Sequence, residues 1–225
     1  MKVILVLIIY LIITNATAQE NQTFFTGIFP EVSLTKKISD VNKLNFKIEN
    51  QRVLFDNRDK ENPQFTHYRT DLMMFFDHSV RPGVSMALGI FHRFQENENS
   101  NRIIQQFAVL QRMRNLRINH RIRTDQTFTR NDDLELRMRY RISGEIPLQG
   151  KIVDPKEFYL VISEELIFSY KGGDFEIENR VALALGKLYN SREKLEWGVD
   201  YRTDGFIQDG FRTRLWGKIS YFYNF

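Results

Sequence analysis

The stretch LELRMRYRIS, residues 134–143, places an arginine at every second position. Its two alternating sets are Arg137, Arg139 and Arg141 on one side and Leu136, Met138, Tyr140 and Ile142 on the other. A period of two is typical of a β-strand, because successive side chains of a strand point to opposite faces of the sheet. The stretch therefore predicts a strand with one strongly charged face and one apolar face.

The same alternation runs through most of the chain. Turn-forming residues interrupt it, as in VRPG at 80–83 and KGGD at 171–174. We predict strands near residues 23–35, 42–55, 65–76, 83–94, 102–113, 115–128, 133–147, 157–170, 174–188, 194–204 and 211–225. The pattern indicates an all-β domain folded as an antiparallel, up-and-down sheet.

The first residues have the three parts of a secretory signal peptide. Lys2 precedes an apolar run from Val3 to Ile13, and the small residues Ala16 and Ala18 follow. The run is shorter than the roughly 20 residues that a membrane-spanning helix needs. We therefore predict cleavage between Ala18 and Gln19, which makes residues 1–18 a signal peptide and residues 19–225 the β-domain.

Composition excludes several classes of function. The chain has no cysteine, so a disulfide scaffold and a thiolate nucleophile are excluded. Its net charge of +4 comes from interleaved basic and acidic residues, so we expect no nucleic-acid partner. We predict His67 on an inward face near one rim, but no serine is placed to pair with it and no G-x-S-x-G motif occurs. We accordingly predict no catalytic residue, no metal site and no cofactor.

Alternation alone leaves open whether the sheet is soluble or crosses a membrane. A soluble antiparallel sheet has one apolar face, whereas a membrane barrel turns that face toward lipid. Most predicted segments reach the roughly 9–11 residues that a spanning strand needs. We therefore predict an antiparallel, up-and-down transmembrane β-barrel. A lipid-modifying barrel enzyme and a soluble periplasmic, lipocalin-like binding protein are the alternatives.

In such a barrel the charged faces point into the lumen, because a lipid-facing arginine costs roughly 2–4 kcal/mol at the bilayer midplane. Buried charges need partners, so we expect an ion-pair network that fills and stiffens the lumen. A charged constriction that selects small anions is the alternative. The predicted network comprises Arg117, Arg121, Arg123, Glu135, Arg137, Arg139, Arg141, Glu165, Glu176, Glu178, Arg180, Glu196, Asp200, Arg202, Arg212 and Arg214.

The segment RLWGKISYFYNF, residues 214–225, carries aromatic side chains at alternate positions. Tyr221, Tyr223 and Phe225 resemble the sorting signal at the end of bacterial outer-membrane barrels. This resemblance implies a location in the bacterial outer membrane, with membrane lipids and the barrel-assembly machinery as partners. We expect the barrel to be a monomer.

Longer stretches extend the resemblance over almost the whole domain. They include LRINHRIRTDQTF at 116–128, LELRMRYRISGEIPL at 134–148 and FYLVISEELIFSY at 158–170. They are similar to a family of small outer-membrane barrels from Bacteroidetes-type bacteria that is known only as a domain of unknown function. The resemblance implies architecture and location, and it supplies no activity.

The strand number is predicted by a general rule. Eleven segments alternate, whereas single-chain bacterial barrels have an even number of strands. Pro30 lies inside the first segment and cannot donate a hydrogen bond to a neighbouring strand, so we expect an edge, bulge or turn there. We predict about 12 strands, with 10 as the alternative.

Overall fold

The computed structural model describes residues 22–60, 62–96, 98–207 and 210–225. The predicted signal peptide and its cleavage site lie outside these ranges. No helix within them is long and apolar enough to cross a membrane. The strands are β1 (Thr23–Lys37), β2 (Asn42–Asp56), β3 (Thr66–Arg81), β4 (Val84–Phe94), β5 (Ser100–Met113), β6 (Leu116–Thr129), β7 (Glu135–Pro147), β8 (Phe158–Lys171), β9 (Asp174–Leu188), β10 (Glu193–Asp204) and β11 (Arg212–Asn224).

The strands close into a barrel, which confirms the predicted all-β barrel class. Each strand pairs antiparallel with its neighbour in sequence, and turns as short as Gly172–Gly173 connect them. Both of these glycines have positive φ, which a two-residue hairpin turn with the right twist requires.

The predicted number of 12 strands is wrong, and so is the alternative of 10, because the described residues form a closed ring of 11. In an odd-numbered up-and-down barrel, the first and last strands run in the same direction. β1 and β11 accordingly pair in parallel, with Thr23 opposite Arg212 and Thr35 opposite Asn224. Pro30 lies inside β1 and pairs with Ile219 of β11, so no edge or turn occurs there. The ladder to β2 nevertheless lacks pairs at Phe29 and Pro30 and resumes in the same register at Glu31, as expected for a residue that cannot donate a hydrogen bond.

The outer face of the barrel is largely apolar. On β7, Met138 is 53 % exposed, whereas its neighbour Arg139 points inward and is buried. The same division holds on β4, where Leu88 and Ile90 are exposed and Phe91 is buried. The barrel is therefore arranged with its charged residues inside and aliphatic and aromatic side chains outside.

Several polar side chains on the outer face bond to one another across neighbouring strands. Gln105 and Gln126 exchange hydrogen bonds of 3.0 and 3.2 Å, and Thr124 Oγ1 donates to Gln105 Oε1 at 2.7 Å. Asn179 Nδ2 donates to Glu164 Oε1 at 3.3 Å. These polar groups therefore have hydrogen-bond partners within the protein and need none from water.

One wall of the lumen is apolar, contrary to the expectation that charges fill it. Beneath β1, β2 and β11, Phe25, Phe29, Val53 and Trp216 form one buried cluster. A second cluster lies under β3, β4 and β5 and consists of Met73, Phe75, Ala87, Phe91 and Ile104. The inner face therefore has an aromatic wall, formed by these two clusters on β1–β5 and Trp216 of β11, and a charged wall on the other inner-face residues of β6–β11.

The aromatic wall depends on glycine at one position. Phe75 lies directly opposite Gly89, and a Cβ atom added to Gly89 would lie 2.4 Å from the Phe75 ring. We expect Gly89→Ala to lower the free energy of unfolding by about 1–3 kcal/mol, since overpacking forces the ring to move. Denaturant titration measures this, and Gly217→Ala is the control because its added Cβ meets its nearest atom at 3.7 Å. Equal stability of the two variants would contradict the packing described.

Candidate functional site

All members of the predicted lumen network lie on the inner faces of β6–β11 and line one of two cavities. The larger one, the vestibule, has a volume of about 1010 Å³. It adjoins the turns after β1 and β3, at Val41 and Gly83. The smaller one, the inner cavity, has a volume of about 290 Å³ and contains most of the charged side chains.

The two cavities adjoin each other inside the barrel. Residues that line both of them mark the boundary, which we call the neck: Lys47, Arg121, Arg141, Ser163, Ala182 and Lys218. Four of these are cations and none is an acid. A small ion that moves between the cavities therefore passes a positively charged boundary.

At the mouth of the vestibule, the turn after β1 carries an exposed ion pair. Lys37 Nζ donates a hydrogen bond to Asp40 Oδ1 at 2.6 Å, and this bond lowers the pKa of Asp40 below its ordinary value. The mouth therefore keeps a carboxylate, although the neck beyond it is cationic.

A continuous chain of ion pairs crosses the charged wall. Arg121 Nη2 lies 2.8 Å from Glu165 Oε1, and Glu178 Oε1 lies 2.8 Å from Arg214 Nη2. The members in order are Arg121, Glu165, Arg180, Glu178, Arg214, Asp204 and Arg212. Because they come from β6, β8, β9, β10 and β11, the chain of charges ties these strands together inside the barrel.

Asp125 forms a second centre on the same wall. It is 1 % exposed, its carboxylate contacts Arg139, and its Oδ2 lies 3.4 Å from Arg137 Nη2. Arg137 also lies 3.7 Å from Glu135. One deeply buried acid therefore holds two arginines of the stretch that predicted the strand.

Other members of the predicted network pair outside these two groups. Arg202 and Asp200 form a buried pair at 2.5 Å, and Arg117 pairs with Glu145 at 2.9 Å beside the vestibule. Glu196 Oε1 accepts hydrogen bonds from Lys194 Nζ and Tyr159 Oη, each at 2.9 Å. Glu176 lines the inner cavity.

The predicted network omits several charged groups on β1–β5. Glu31 lies 3.0 Å from Lys47 and 2.8 Å from Lys218, and Asp71 lies 2.8 Å from Arg93. Alternation does predict Asp71 as an inward acid, and Arg69, Arg102 and Gln106 have the same inward parity although the predicted network leaves them out. They stand out less in the sequence because apolar residues share those inner faces.

The aromatic wall contacts cations both on its own strands and on the charged wall. The Arg102 guanidinium lies 4.3 Å from the centre of the Phe91 ring, and that of Arg123 lies 4.9 Å from the Phe75 ring. Such cation–π contacts stabilise a cation without neutralising it. Some guanidinium groups in the lumen are therefore stabilised by contacts with neutral aromatic rings.

The expected inward position of His67 is wrong. The extra residue Tyr68 forms a β-bulge against Gln51 and Arg52, and a bulge changes which face the following side chains occupy. His67 therefore lies on the outer face, with Nε2 2.9 Å from Thr70 Oγ1. Among the described residues, no group of three or more His, Asp or Glu side chains is placed to hold a metal ion.

The fold and the lumen together define a closed, mostly antiparallel β-barrel with an apolar outer face and an ionised interior. The chain belongs to the family described as protein of unknown function, DUF2490, whose model matches residues 26–208. This confirms the resemblance to a family without an assigned activity. Neither the curated proteins nor the solved structures contain a match to the chain.

Proposed function

We propose that the chain is a bacterial outer-membrane β-barrel whose charged lumen is a narrow conduit for small solutes. The observation that carries the proposal is the division of side chains, with ionised groups inside and exposed apolar groups such as Met138, Leu88 and Ile90 outside. A soluble barrel would bury its apolar residues and expose its charges to water, whereas a lipid-embedded barrel has the opposite arrangement.

The polar groups of the outer face fit this proposal. Unpaired polar groups cost several kcal/mol in hydrocarbon. Gln105, Gln126 and Thr124 bond to one another, and the carboxylate of Glu164 accepts a hydrogen bond from Asn179. Acidic side chains are also less costly than arginine or lysine on a lipid face.

Two adjoining cavities support a conduit over a purely structural barrel. Barrels of small strand number usually have interiors filled by side chains. Here the vestibule and the inner cavity leave space on both sides of a neck that contains the small residues Ser163 and Ala182. A single chain closes the ring through its own β1 and β11, so the proposed unit is a monomer.

The proposal includes assembly by the machinery that inserts outer-membrane barrels. Tyr221, Tyr223 and Phe225 share the parity of the outer face, and the rings of Tyr223 and Phe225 stack with centroids 5.9 Å apart. Phe225 N donates to Thr35 O at 2.9 Å, which attaches this segment to β1. An aromatic signal at this place would guide insertion and would also seal the closing pair of strands.

The location is tested by cell fractionation and by electrophoresis with and without boiling. We expect the protein in the outer-membrane fraction, with a folded band that shifts only on boiling, because closed barrels resist detergent. Recovery of the protein in the soluble periplasmic fraction would contradict the proposal.

The conduit is tested by current through planar bilayers. We expect Ala182→Phe to reduce the wild-type current strongly, because Ala182 lies at the neck. Leu183→Phe is the matched control, since Leu183 is the next residue along β9 and points outward. Both variants should keep the heat-sensitive folded band. Equal currents in the two variants, or no current from the folded wild type, would exclude a conduit through the neck.

A further inference from the structure

The inner cavity has more cations than its acids can neutralise. Fourteen Lys and Arg side chains and eight Asp and Glu side chains line it. Glu31, which lines the vestibule, and the buried Asp125 also pair with these cations, which brings the acids to ten. An excess of four positive charges remains in a space of about 290 Å³.

Three arginines account for most of this excess. Eleven of the fourteen cations have a carboxylate oxygen within 4.0 Å. Over the described ranges, no such contact is made by Arg102, Arg123 or Arg141. Their polar or ring partners are neutral: Phe91 for Arg102, Gln106 and Phe75 for Arg123, and Ser163 for Arg141.

Two of these arginines lie on the paired strands β6 and β7. Arg123 lies directly opposite Arg139, and Arg141 directly opposite Arg121, so four arginines form a square on the inner face of β6 and β7. Like charges directly opposite each other are destabilising in a sheet. Arg139 and Arg121 hold Asp125 and Glu165, whereas the diagonal pair Arg123 and Arg141 holds no acid.

The side chains of this diagonal pair lie on either side of one gap, since Arg123 Nε donates to Gln106 on β5 and Arg141 donates to Ser163 on β8. Diagonal neighbours on paired strands have Cβ atoms about 7–8 Å apart, a gap that two long arginine side chains can close around an oxyanion. Arg141 Nη2 donates to Ser163 Oγ at 3.2 Å, and both residues belong to the neck. Arg102 lies further along the inner cavity, is 5 % exposed, and has a buried Nε with no hydrogen-bond partner.

We propose that Arg123 of the inner cavity and Arg141 of the neck bind a small free oxyanion of the phosphate or sulfate type where the two regions meet, and that Arg102 provides the next cationic step inside the inner cavity. The guanidinium fork matches the geometry of such anions. A cavity of about 290 Å³ lies at or below the range for drug-sized ligands, so a small ion with its water fits better. The inference deepens the proposed conduit by naming its solute.

The test is calorimetric titration of inorganic phosphate, and separately of sulfate, into the folded wild-type protein in zwitterionic detergent at constant ionic strength. We expect saturable binding, weakened about tenfold or more by Arg123→Gln, the loss expected for one charge-assisted donor. Arg117→Gln is the matched control, because Arg117 already pairs with Glu145 beside the vestibule. No saturable binding, or equal binding by Arg123→Gln and the wild type, would overturn the proposal.

A stability measurement separates a ligand site from a structural contact. Removing an arginine that neutralises no acid should leave the denaturation midpoint of Arg123→Gln unchanged or higher. A large fall in that midpoint would overturn the proposal, because Arg123 would then be required for folding. Arg123→Lys, which keeps the charge and loses the fork, should bind phosphate with intermediate affinity.

Two further arms identify the anion and separate this inference from the conduit. Tighter binding of soluble short-chain phosphatidic acid than of inorganic phosphate would overturn the choice of a free ion over a lipid phosphate. Binding in detergent requires neither membrane location nor an open path. Phosphate binding without bilayer current would therefore support the anion site and exclude the conduit. Current without phosphate binding would support the conduit and exclude the anion site.

Discussion

Replacing Asp125 with asparagine should lower the free energy of unfolding by about 3–5 kcal/mol, the usual cost of removing one partner of a buried ion pair. Asp125 is 1 % exposed and contacts Arg139 and Arg137, in a cavity that already has excess positive charge. An amide of nearly the same shape keeps the packing and removes the negative charge. The remaining guanidinium groups would then repel one another without compensation.

Urea titration followed by tryptophan fluorescence measures this loss, because Trp216 is fully buried in the lumen. Glu145→Gln is the matched control. The partner of Glu145, Arg117, has a side chain that is 45 % exposed, and exposed pairs contribute only about 0.2–1 kcal/mol. A loss as small for Asp125→Asn as for the control would mean that water enters the lumen and screens its charges.

Replacing Met138 with arginine should hinder folding into lipid vesicles by about 2–4 kcal/mol, the cost of a cation on the lipid face near the midplane. Met138 lies in the middle of β7 on the outer face, with Thr124 and Phe168 opposite it on the neighbouring strands. Under the proposed location these positions are in hydrocarbon. The folded fraction at increasing urea, read from the band that shifts on boiling, measures the effect.

Leu134→Arg is the control for this substitution. Leu134 is an exposed apolar residue just before β7, so the same change of side chain takes place outside the strand. We expect it to have little effect. If Met138→Arg is tolerated as well as Leu134→Arg, the outer face does not lie in hydrocarbon, and a soluble binding protein becomes the better interpretation.

The sequence predicts the charged wall well because alternation there is clear. On β7, every second residue from Arg137 to Arg141 is an arginine and the residues between are apolar. The two faces of this strand therefore differ clearly in polarity, and they must lie in different surroundings. The segment LMMFF on β3, residues 72–76, has no such contrast. Both of its faces are apolar, and only strand pairing decides that Met73 and Phe75 point inward and that Phe76 points outward.

The alternation of residues also does not predict β-bulges or the way in which the barrel closes. A single extra residue at Tyr68 reverses the face of His67, and nothing in the local sequence distinguishes it from a regular strand position. The even-number rule failed for a related reason. Whether a barrel closes with 11 or 12 strands depends on the pairing of β1 with β11, which are separated by almost the whole chain.

Local alternation was enough to predict the all-β class, the positions of eleven strands and the division of the arginine-rich strands into a charged face and an apolar face. These are local properties, because the pleat gives each strand a period of two and a polar face must lie away from an apolar one. The three-dimensional fold was needed to place the charged faces inside the ring, to close it with a parallel pair, to form the aromatic wall and to give each charge its partners. Arg121 meets Glu165 across 44 residues of chain, whereas Arg123 meets no carboxylate among the described residues. That difference follows from the register of the strands around the closed ring. The register depends on all strand pairings together, so no single segment of sequence specifies it.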